Sequence, residues 1–229
     1  MKQKIVVLTG AGISAESGLA TFRDANGLWE GHDVMEVASP EGWRRNPGLV
    51  LEFYNQRRKS ALGVEPNAAH KALVDLEQKF DVHIITQNVD DLHERAGSSN
   101  ILHLHGKLFE SRSTKDENLI YPMPGWELSL GHLCEKGSQL RPNIVWFGEA
   151  VPLIEQAAQE TMTADYLLII GTSLQVYPAA GLLSYAPHDT PIYLIDPNAP
   201  AVPPKRNITI IQEKATVGVP ALVKKLLEE

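Results

Sequence analysis

Short apolar runs rich in Val and Ile recur at residues 5–8, 82–86, 101–104, 144–146, 166–170, 192–195 and 208–211. Several lack polar alternation, which is how parallel strands buried on both faces read. Helical patterns separate most of them. Residues 70–80 carry Leu73, Leu76 and Phe80, residues 151–162 begin near Pro152, and residues 220–227 open with Pro220. Alternating strands and helices predict an α/β fold with a doubly wound parallel sheet. Two stretches break the alternation. Residues 25–62 hold no convincing strand, only Pro47 ahead of LVLEFYNQRRKSAL at helical spacing. Residues 107–142 read as loop, with Pro122, Pro124, Gly125, Gly131 and Gly137. Both are taken as insertions forming a smaller lobe beside a larger one of about 1–24, 63–106 and 143–229. A cleft between lobes is a usual place for a ligand.

Composition narrows the function classes. The 229 residues suffice for one domain with a large insertion. A formal charge of −7 does not favour a nucleic-acid partner. Arg44–Arg45 and Arg57–Arg58–Lys59 read as solvated surface patches. One cysteine, Cys134, excludes an internal disulfide and a zinc site built mainly on cysteine. No signal-peptide core and no membrane-length apolar run is evident. A soluble cytoplasmic protein with no membrane partner is expected.

The first run feeds GAGISAESGLATFRD, residues 10–24. A glycine-rich turn after a parallel strand lets backbone N–H groups approach a pyrophosphate. Gly10 and Gly12 suit that approach, and Ser14 is placed to cap a helix or meet a phosphate. A plain tight turn reads the same way. A simple dinucleotide fingerprint needs a third glycine and a compact unit of about 30 residues, and the next strand here starts near Val82. An insertion has opened the unit, which sets Phe22–Arg23–Asp24 over the turn as a cover that excludes water.

Other strand ends converge. Gln87, Asn88 and Asp90 follow the 82–86 strand, where open α/β sheets bind ligands. Asn88 or Asp90 equally suits a cap on a helix from about Val89. LHLHG, residues 102–106, places His103 and His105 on one face of a regular strand. No third metal ligand stands out. His105, before Gly106 at the lobe junction, is the better general base near neutral pH. Gly171, Thr172 and Ser173 end a further strand with hydroxyl and backbone donors.

Together these residues resemble a sirtuin, an NAD-dependent protein-lysine deacylase. The matching segments are GAGIS at 10–14, ATFRDANGLW at 20–29, TQNVD at 86–90, LHG at 104–106, RPNIVWFGE at 141–149 and GTS at 171–173. They occur in the family's order and cover most of the chain. The resemblance implies a Rossmann-like large domain and a small helical-plus-ribbon lobe. It implies NAD contacts for Gly10, Ala11, Gly12, Ser14, Ala15, Thr21, Phe22, Arg23, Trp29, Gln87, Asn88, Asp90, Gly171, Thr172 and Ser173. Asp196, Asn198 and Ala215 resemble the adenosine-side contacts. His105 matches the catalytic base, with Asn88 and Asp90 beside it. Val145, Phe147, Gly148 and Glu149 resemble the segment that pairs with an extended acyl-lysine peptide. The implied reaction joins the acyl oxygen to the nicotinamide ribose, releases nicotinamide, and ends in lysine and O-acyl-ADP-ribose.

Two departures matter. The family commonly carries four zinc cysteines between LHG and FGE, where this chain has Cys134 alone. Zinc is not expected, and Leu119, Tyr121, Trp126 and Leu128 are expected to stabilise the ribbon by packing. Asp196 stands where the family usually has Asn, and a carboxylate still accepts from a ribose hydroxyl. Tyr54 and Arg57, three apart on a helix, can project to one side. The surrounding FYNQRR resembles the sirtuins that remove acidic acyl groups. Arg offers a planar fork to a succinyl or malonyl carboxylate, and a buried Arg without a partner disfavours apolar acyls. Deacetylation is expected as a second activity. An NAD(P)-dependent oxidoreductase, a non-catalytic ADP-ribose or acyl-lysine binding module, and an ADP-ribosyltransferase remain alternatives.

Overall fold

A computed structural model describes residues 2–20, 28–198 and 207–229. Thr21, Phe22 and Arg23 lie outside the described residues. The chain opens with β1 (Lys4–Thr9) and the short α1 (Gly12–Ala15). A hairpin, β2 (Leu28–Trp29) and β3 (His32–Asp33), leads to α2 (Val34–Val37), α3 (Pro40–Arg45) and α4 (Pro47–Leu62). Then come α5 (Ala68–Leu76), β4 (Asp81–Thr86), α6 (Leu92–Ala96) and β5 (Ile101–His103). A ribbon follows as β6 (Gly106–Ser113), β7 (Ile120–Pro122) and β8 (Leu140–Ile144). The chain closes with α7 (Ile154–Met162), β9 (Tyr166–Ile170), a 3₁₀ segment (Ala179–Tyr185), β10 (Ile192–Ile195), β11 (Ile208–Ile211) and α8 (Ala215–Glu228).

Six strands form one parallel sheet in the order β11-β10-β9-β1-β4-β5. The continuous apolar character of the inner strands β1, β4, β9 and β10 follows from burial on both faces. Ile5, Val7, Ile84 and Leu168 pack against Leu73 and Leu76 of α5 and Val219 and Leu222 of α8. Their neighbours Val6, Leu8, Ile85 and Leu167 face Ala157 of α7 and Leu182. The expected α/β doubly wound class is therefore correct.

Several boundaries differ from expectation, each for a local reason. α5 starts at Ala68 because the Asn67 side chain accepts from Ala69 N and His70 returns the favour in a capping box. α8 starts at Ala215, so Pro220 lies inside it rather than at its head. The run 144–146 is not a strand of the main sheet. β8 ends at Ile144, pairs antiparallel with β6, and leaves Trp146 in a third core with Val50, Phe53, Tyr54 and Leu108. Residues 107–142 are loop-like over 114–119 and 123–139 but also carry the strands of a three-stranded antiparallel ribbon, and residues 25–62 contain the β2–β3 hairpin.

The apolar packing that seats the ribbon comes from Leu108 and Ile144 in the third core, not from the four residues expected. Of those four only Leu128 is buried. Polar staples from α4 do the rest. Asn55 donates to Leu128 O and accepts from Leu128 N, at 3.2 and 2.9 Å. Arg58 donates to Trp126 O at 2.6 Å, Leu108 O at 3.3 Å and Asn55 Oδ1 at 2.6 Å. Further along, Cys134 Sγ donates to Ser113 Oγ, and Ser113 and Ser138 hydroxyls meet at 2.7 Å. These two serines, Ser113 first, pull the Cys134 thiol down to about 6. Arg57 and Arg58 are thus not the solvated patch that their spacing suggests; Arg58 is fully buried. Arg58→Met keeps the aliphatic stem but strips donors from buried carbonyls. It should cost about 3 kcal/mol, or ~6–12 °C in Tm by calorimetry.

Candidate active site

The strand order reverses beside β1. From β1 the chain runs outward through β4 and β5, then returns to β1's other side and runs outward through β9, β10 and β11. That is the topological switch point where open α/β sheets bind ligands, at the carboxyl ends of the strands. The register brings Thr9, Thr86 and Ile170 level there. A cavity of about 860 Å³ opens at these ends. Cofactor and small-molecule sites span ~300–1,000 Å³.

Every described residue assigned a site role from the sequence lines this cavity. From β1 and α1 come Gly10, Ala11, Gly12, Ser14 and Ala15. Gln87, Asn88, Asp90 and His105 come from the β4 and β5 ends. Gly171, Thr172 and Ser173 follow β9, Asp196 and Asn198 follow β10, and Ala215 opens α8. From outside the parallel sheet come Trp29, Tyr54, Arg57, Val145, Phe147, Gly148 and Glu149.

The glycines are required for a different reason from the one expected. Gly10 N donates to Ile170 O and Gly12 N to Gly171 O, at 3.0 and 2.9 Å. Those N–H groups tie β1 to β9 and do not face a pyrophosphate. A Cβ at Gly12 would stand 2.6 Å from Gly171 Cα, and one at Gly10 2.7 Å from Gly171 O. The tips of β1 and β9 meet backbone to backbone, and only glycine permits that approach. Ser14 caps nothing. It sits inside α1 and its hydroxyl donates to Asp90 Oδ2 at 3.1 Å.

Hydrogen bonds fix the polar floor. Thr9 Oγ1 donates to Thr86 Oγ1 at 2.8 Å, and Thr86 Oγ1 accepts from Asn88 N at 3.0 Å. Asn88 Nδ2 donates to Gly10 O at 3.1 Å, and Gln87 Nε2 to Thr172 Oγ1 at 3.2 Å. Asp90 Oδ1 accepts from Leu92 N at 3.1 Å, so it supports the start of α6, which begins at Leu92 and not near Val89. Burial raises the Asp90 carboxyl above its ordinary range, against the Leu92 and Ser14 hydrogen bonds.

The two histidines part company. β5 ends at His103, so the expected shared face is lost one residue later. His103 faces Asn88 O at 3.0 Å and Glu94 Oε1 at 2.7 Å, occupying both ring nitrogens away from the large cavity. His105 Nδ1 lies 3.0 Å from Gln87 O. A carbonyl only accepts, so Nδ1 carries the proton and Nε2 keeps its lone pair. Burial lowers the His105 pKa from 6.5, more than the Gln87 hydrogen bond raises it. A neutral imidazole with a free Nε2 is the state a general base requires.

At the other end, Tyr54 and Arg57 do reach one side of α4. Trp146 Nε1 donates to Tyr54 Oη at 3.1 Å, and burial pushes the Tyr54 hydroxyl up to about 12. The Arg57 guanidinium lies 4.3 Å from the Trp29 ring centre, so Trp29 belongs with the arginine. Arg57 is 11% exposed but not unpaired: Nη1 donates to Glu30 Oε1 at 3.2 Å. A cation this buried needs a counter-charge, and the hairpin supplies one. Glu149 is also less available than expected. Its carboxylate accepts from Trp146 N at 2.8 Å and from Arg141 at 2.7 and 3.1 Å. It holds the 145–149 turn in shape. Val145 N and Phe147 N are engaged as well, with His105 O and Ala38 O.

Sequence reasoning missed several lining residues. Glu16 accepts from Thr216 N and Oγ1 at 3.2 and 2.6 Å, tying α1 to α8. Trp146, Tyr177 and Pro178 also line the cavity. Only the adjacency of Trp146 to the FGE segment signalled any of them.

Comparison with known proteins decides the family. The Sir2 family profile matches residues 10–178. The chain belongs to the Sir2 family. A Helicobacter pylori relative named NAD-dependent protein deacylase is 59% identical over 99% of this chain and 98% of its own length. A Bacteroides thetaiotaomicron relative of the same name is 52% identical over 98% of each chain. The solved structure of a Sir2 homologue with NAD is 37% identical, has a TM-score of 0.89, and is matched over 99% of this chain and 90% of that one. A Sir2 structure with NAD and a p53 peptide has a TM-score of 0.78 at 26% identity, matched over 100% and 95%. The six-stranded sheet and antiparallel ribbon are thus the Sir2 fold. In this Sir2 family chain no group of His, Cys, Asp and Glu among the described residues gathers as a metal site.

Proposed function

We propose that this chain is an NAD-dependent protein-lysine deacylase that prefers acyl groups ending in a carboxylate. Succinyl and malonyl are the favoured groups, acetyl is a second substrate, and nicotinamide and O-acyl-ADP-ribose are the products. The observation that carries the reading is one cavity with a neutral imidazole, His105, and a buried guanidinium, Arg57.

The residues present fit NAD. The cavity is of cofactor size, and Gly10, Gly12 and Gly171 let the β1 and β9 tips close together beneath it. Ala11, Ser14, Thr172, Ser173 and Asp196 would hold the dinucleotide, with Asp196 accepting from an adenosine-side ribose hydroxyl. Asn198 N already donates to Asp196 Oδ1 at 2.8 Å, which sets that carboxylate's orientation. Bound NAD supplies an electrophilic ribose carbon with nicotinamide as its leaving group. Asn88 and Asp90 orient the sugar and the nicotinamide pocket. His105 Nε2 takes a proton from a ribose hydroxyl, while the Gln87 carbonyl steadies the resulting cation through Nδ1–H. The ribbon and the α2–α4 helices act as the smaller of two lobes, with the acyl-lysine entering between them along residues 145–149. Arg57 and Tyr54 receive the acyl carboxylate at the far end.

The direct test is kcat/KM on matched succinyl- and acetyl-lysine peptides with NAD and no added zinc. A ratio above one for succinyl over acetyl is expected; equal values would remove the acidic preference. The pH profile follows from His105. Its neutral form is the active one, and its pKa lies below 6.5. Activity should hold as pH falls from 7.5 to 6.5 and decline only below that, as protonation fills Nε2. An acid limb centred above 6.5 would assign the proton transfer to another group.

A further inference from the structure

The partner of Arg57 is the unexpected feature of the acyl end. Glu30 and Gly31 form the two-residue loop of the β2–β3 hairpin, since Trp29 pairs with His32. Their φ angles are +50° and +84°. A loop with both central residues at positive φ selects Asn-Gly, Asp-Gly or Gly-Gly. Glu is a poor choice there, because its Cβ crowds the left-handed backbone and its longer chain gains no local turn hydrogen bond. What Glu gains here is reach. Its carboxylate meets Arg57 at 3.2 Å, with the two side chains 30% and 11% exposed.

The geometry separates Glu30 from the substrate's side. Arg57 lines the large cavity and Glu30 does not. The carboxylate therefore meets the guanidinium from the hairpin. Among the described residues, that single hydrogen bond is the one Arg57 donates, and its Nε is buried without a partner. A guanidinium has five N–H donors in a planar fork, so a second acceptor has room. Asp90 is the other carboxylate whose field reaches Arg57.

We propose that Glu30 is a built-in counter-carboxylate that sets acyl preference. It neutralises Arg57 when the acyl chain is uncharged, and it shares the guanidinium when the chain ends in a carboxylate. With an acetyl group in place, Glu30 spares the site a buried unpaired cation, so acetyl-lysine is tolerated. With a succinyl group in place, two carboxylates face one guanidinium, and Glu30 weakens the binding it allows. The specificity of the site is then a difference of two affinities, adjusted by a residue that touches neither acyl group.

This inference rests on the carboxylate-accepting role of Arg57, so the test has arms for each. Glu30→Gln keeps length and a hydrogen-bond acceptor and removes the charge. It should lower KM for the succinyl peptide about fivefold and raise KM for the acetyl peptide by about threefold, with kcat changing little. The ratio of kcat/KM values thus moves toward succinyl by more than about tenfold. Glu30→Asn suits the turn and is too short to reach Arg57, so it should shift the ratio the same way in a chain that folds at least as well. A merely structural Glu30 would change both peptides alike. An unchanged ratio in both variants overturns the proposal, as does a shift toward acetyl. If that occurs while Arg57→Met still abolishes the wild-type succinyl preference, Glu30 alone fails. If the wild type shows no succinyl preference and Arg57→Met does not alter the ratio, the underlying reading fails with it.

Discussion

His105→Ala is expected to give a folded protein that binds NAD yet deacylates peptide about 10²- to 10⁴-fold more slowly than wild type. The imidazole is half-buried and makes one hydrogen bond among the described residues, to Gln87 O. Removing it leaves the Gln87 carbonyl beside the cavity, where water can replace the donor, so the stability loss should be small. The proposed NAD contacts are spread over four strand ends, and His105 is one residue among many that line the cavity. Binding by calorimetry should stay within about threefold, while kcat collapses. A variant with near-normal turnover would remove His105 from the chemistry. His103 offers an internal contrast, because both its ring nitrogens are held by Asn88 O and Glu94. His103→Ala should disturb stability through the half-buried Glu94, whose carboxyl is held down to about 2 with His103 as its hydrogen-bond partner, rather than the proton transfer itself.

Arg57→Met is expected to lower desuccinylation about 10- to 150-fold and deacetylation by less than about threefold. A hydrogen-bonded charged pair is worth about 1.5–3 kcal/mol, and each 1.4 kcal/mol is a factor of ten. An acetyl group has no carboxylate to lose, and methionine keeps an unbranched apolar chain of similar reach where the guanidinium now lies over the Trp29 and Phe53 rings. Glu30 complicates the variant in an informative way. Without Arg57 its carboxylate loses its partner but remains 30% exposed, so water can solvate it. Equal losses on both peptides would count against carboxylate recognition. Tyr54→Phe should give a smaller loss in the same direction, provided the Trp146 N–H that faces Tyr54 Oη finds another acceptor.

Legibility in the sequence tracks how local each feature's cause is. β1, β4, β9 and β10 were readable because burial on both faces forces continuous apolar runs. The site followed from that, since residues just past such strands must cluster at one edge. The ribbon was not readable. GKLFESRS in β6 alternates weakly and is held at Leu108 by Arg58, fifty residues earlier, and by the third apolar core. Arg58 itself sits in an Arg-Arg-Lys run that reads as solvated surface, although folding buries it entirely. Gly10 and Gly12 stand out in the sequence, but their contact with Gly171 does not, because it joins residues about 160 positions apart. Glu30 carried no signal at all; its meaning lies in a hairpin turn and an arginine on a different helix.

The central claim is that these strand ends and His105 act together on NAD and an acylated lysine. Its most direct measurement is the amount of free nicotinamide released per peptide deacylated, followed by mass spectrometry with succinyl-lysine peptide, NAD and the intact chain. One nicotinamide per lysine freed, with no deacylation when NAD is omitted, is the predicted result. Deacylation without NAD, or NAD consumed while the acyl group stays on the peptide, would contradict it.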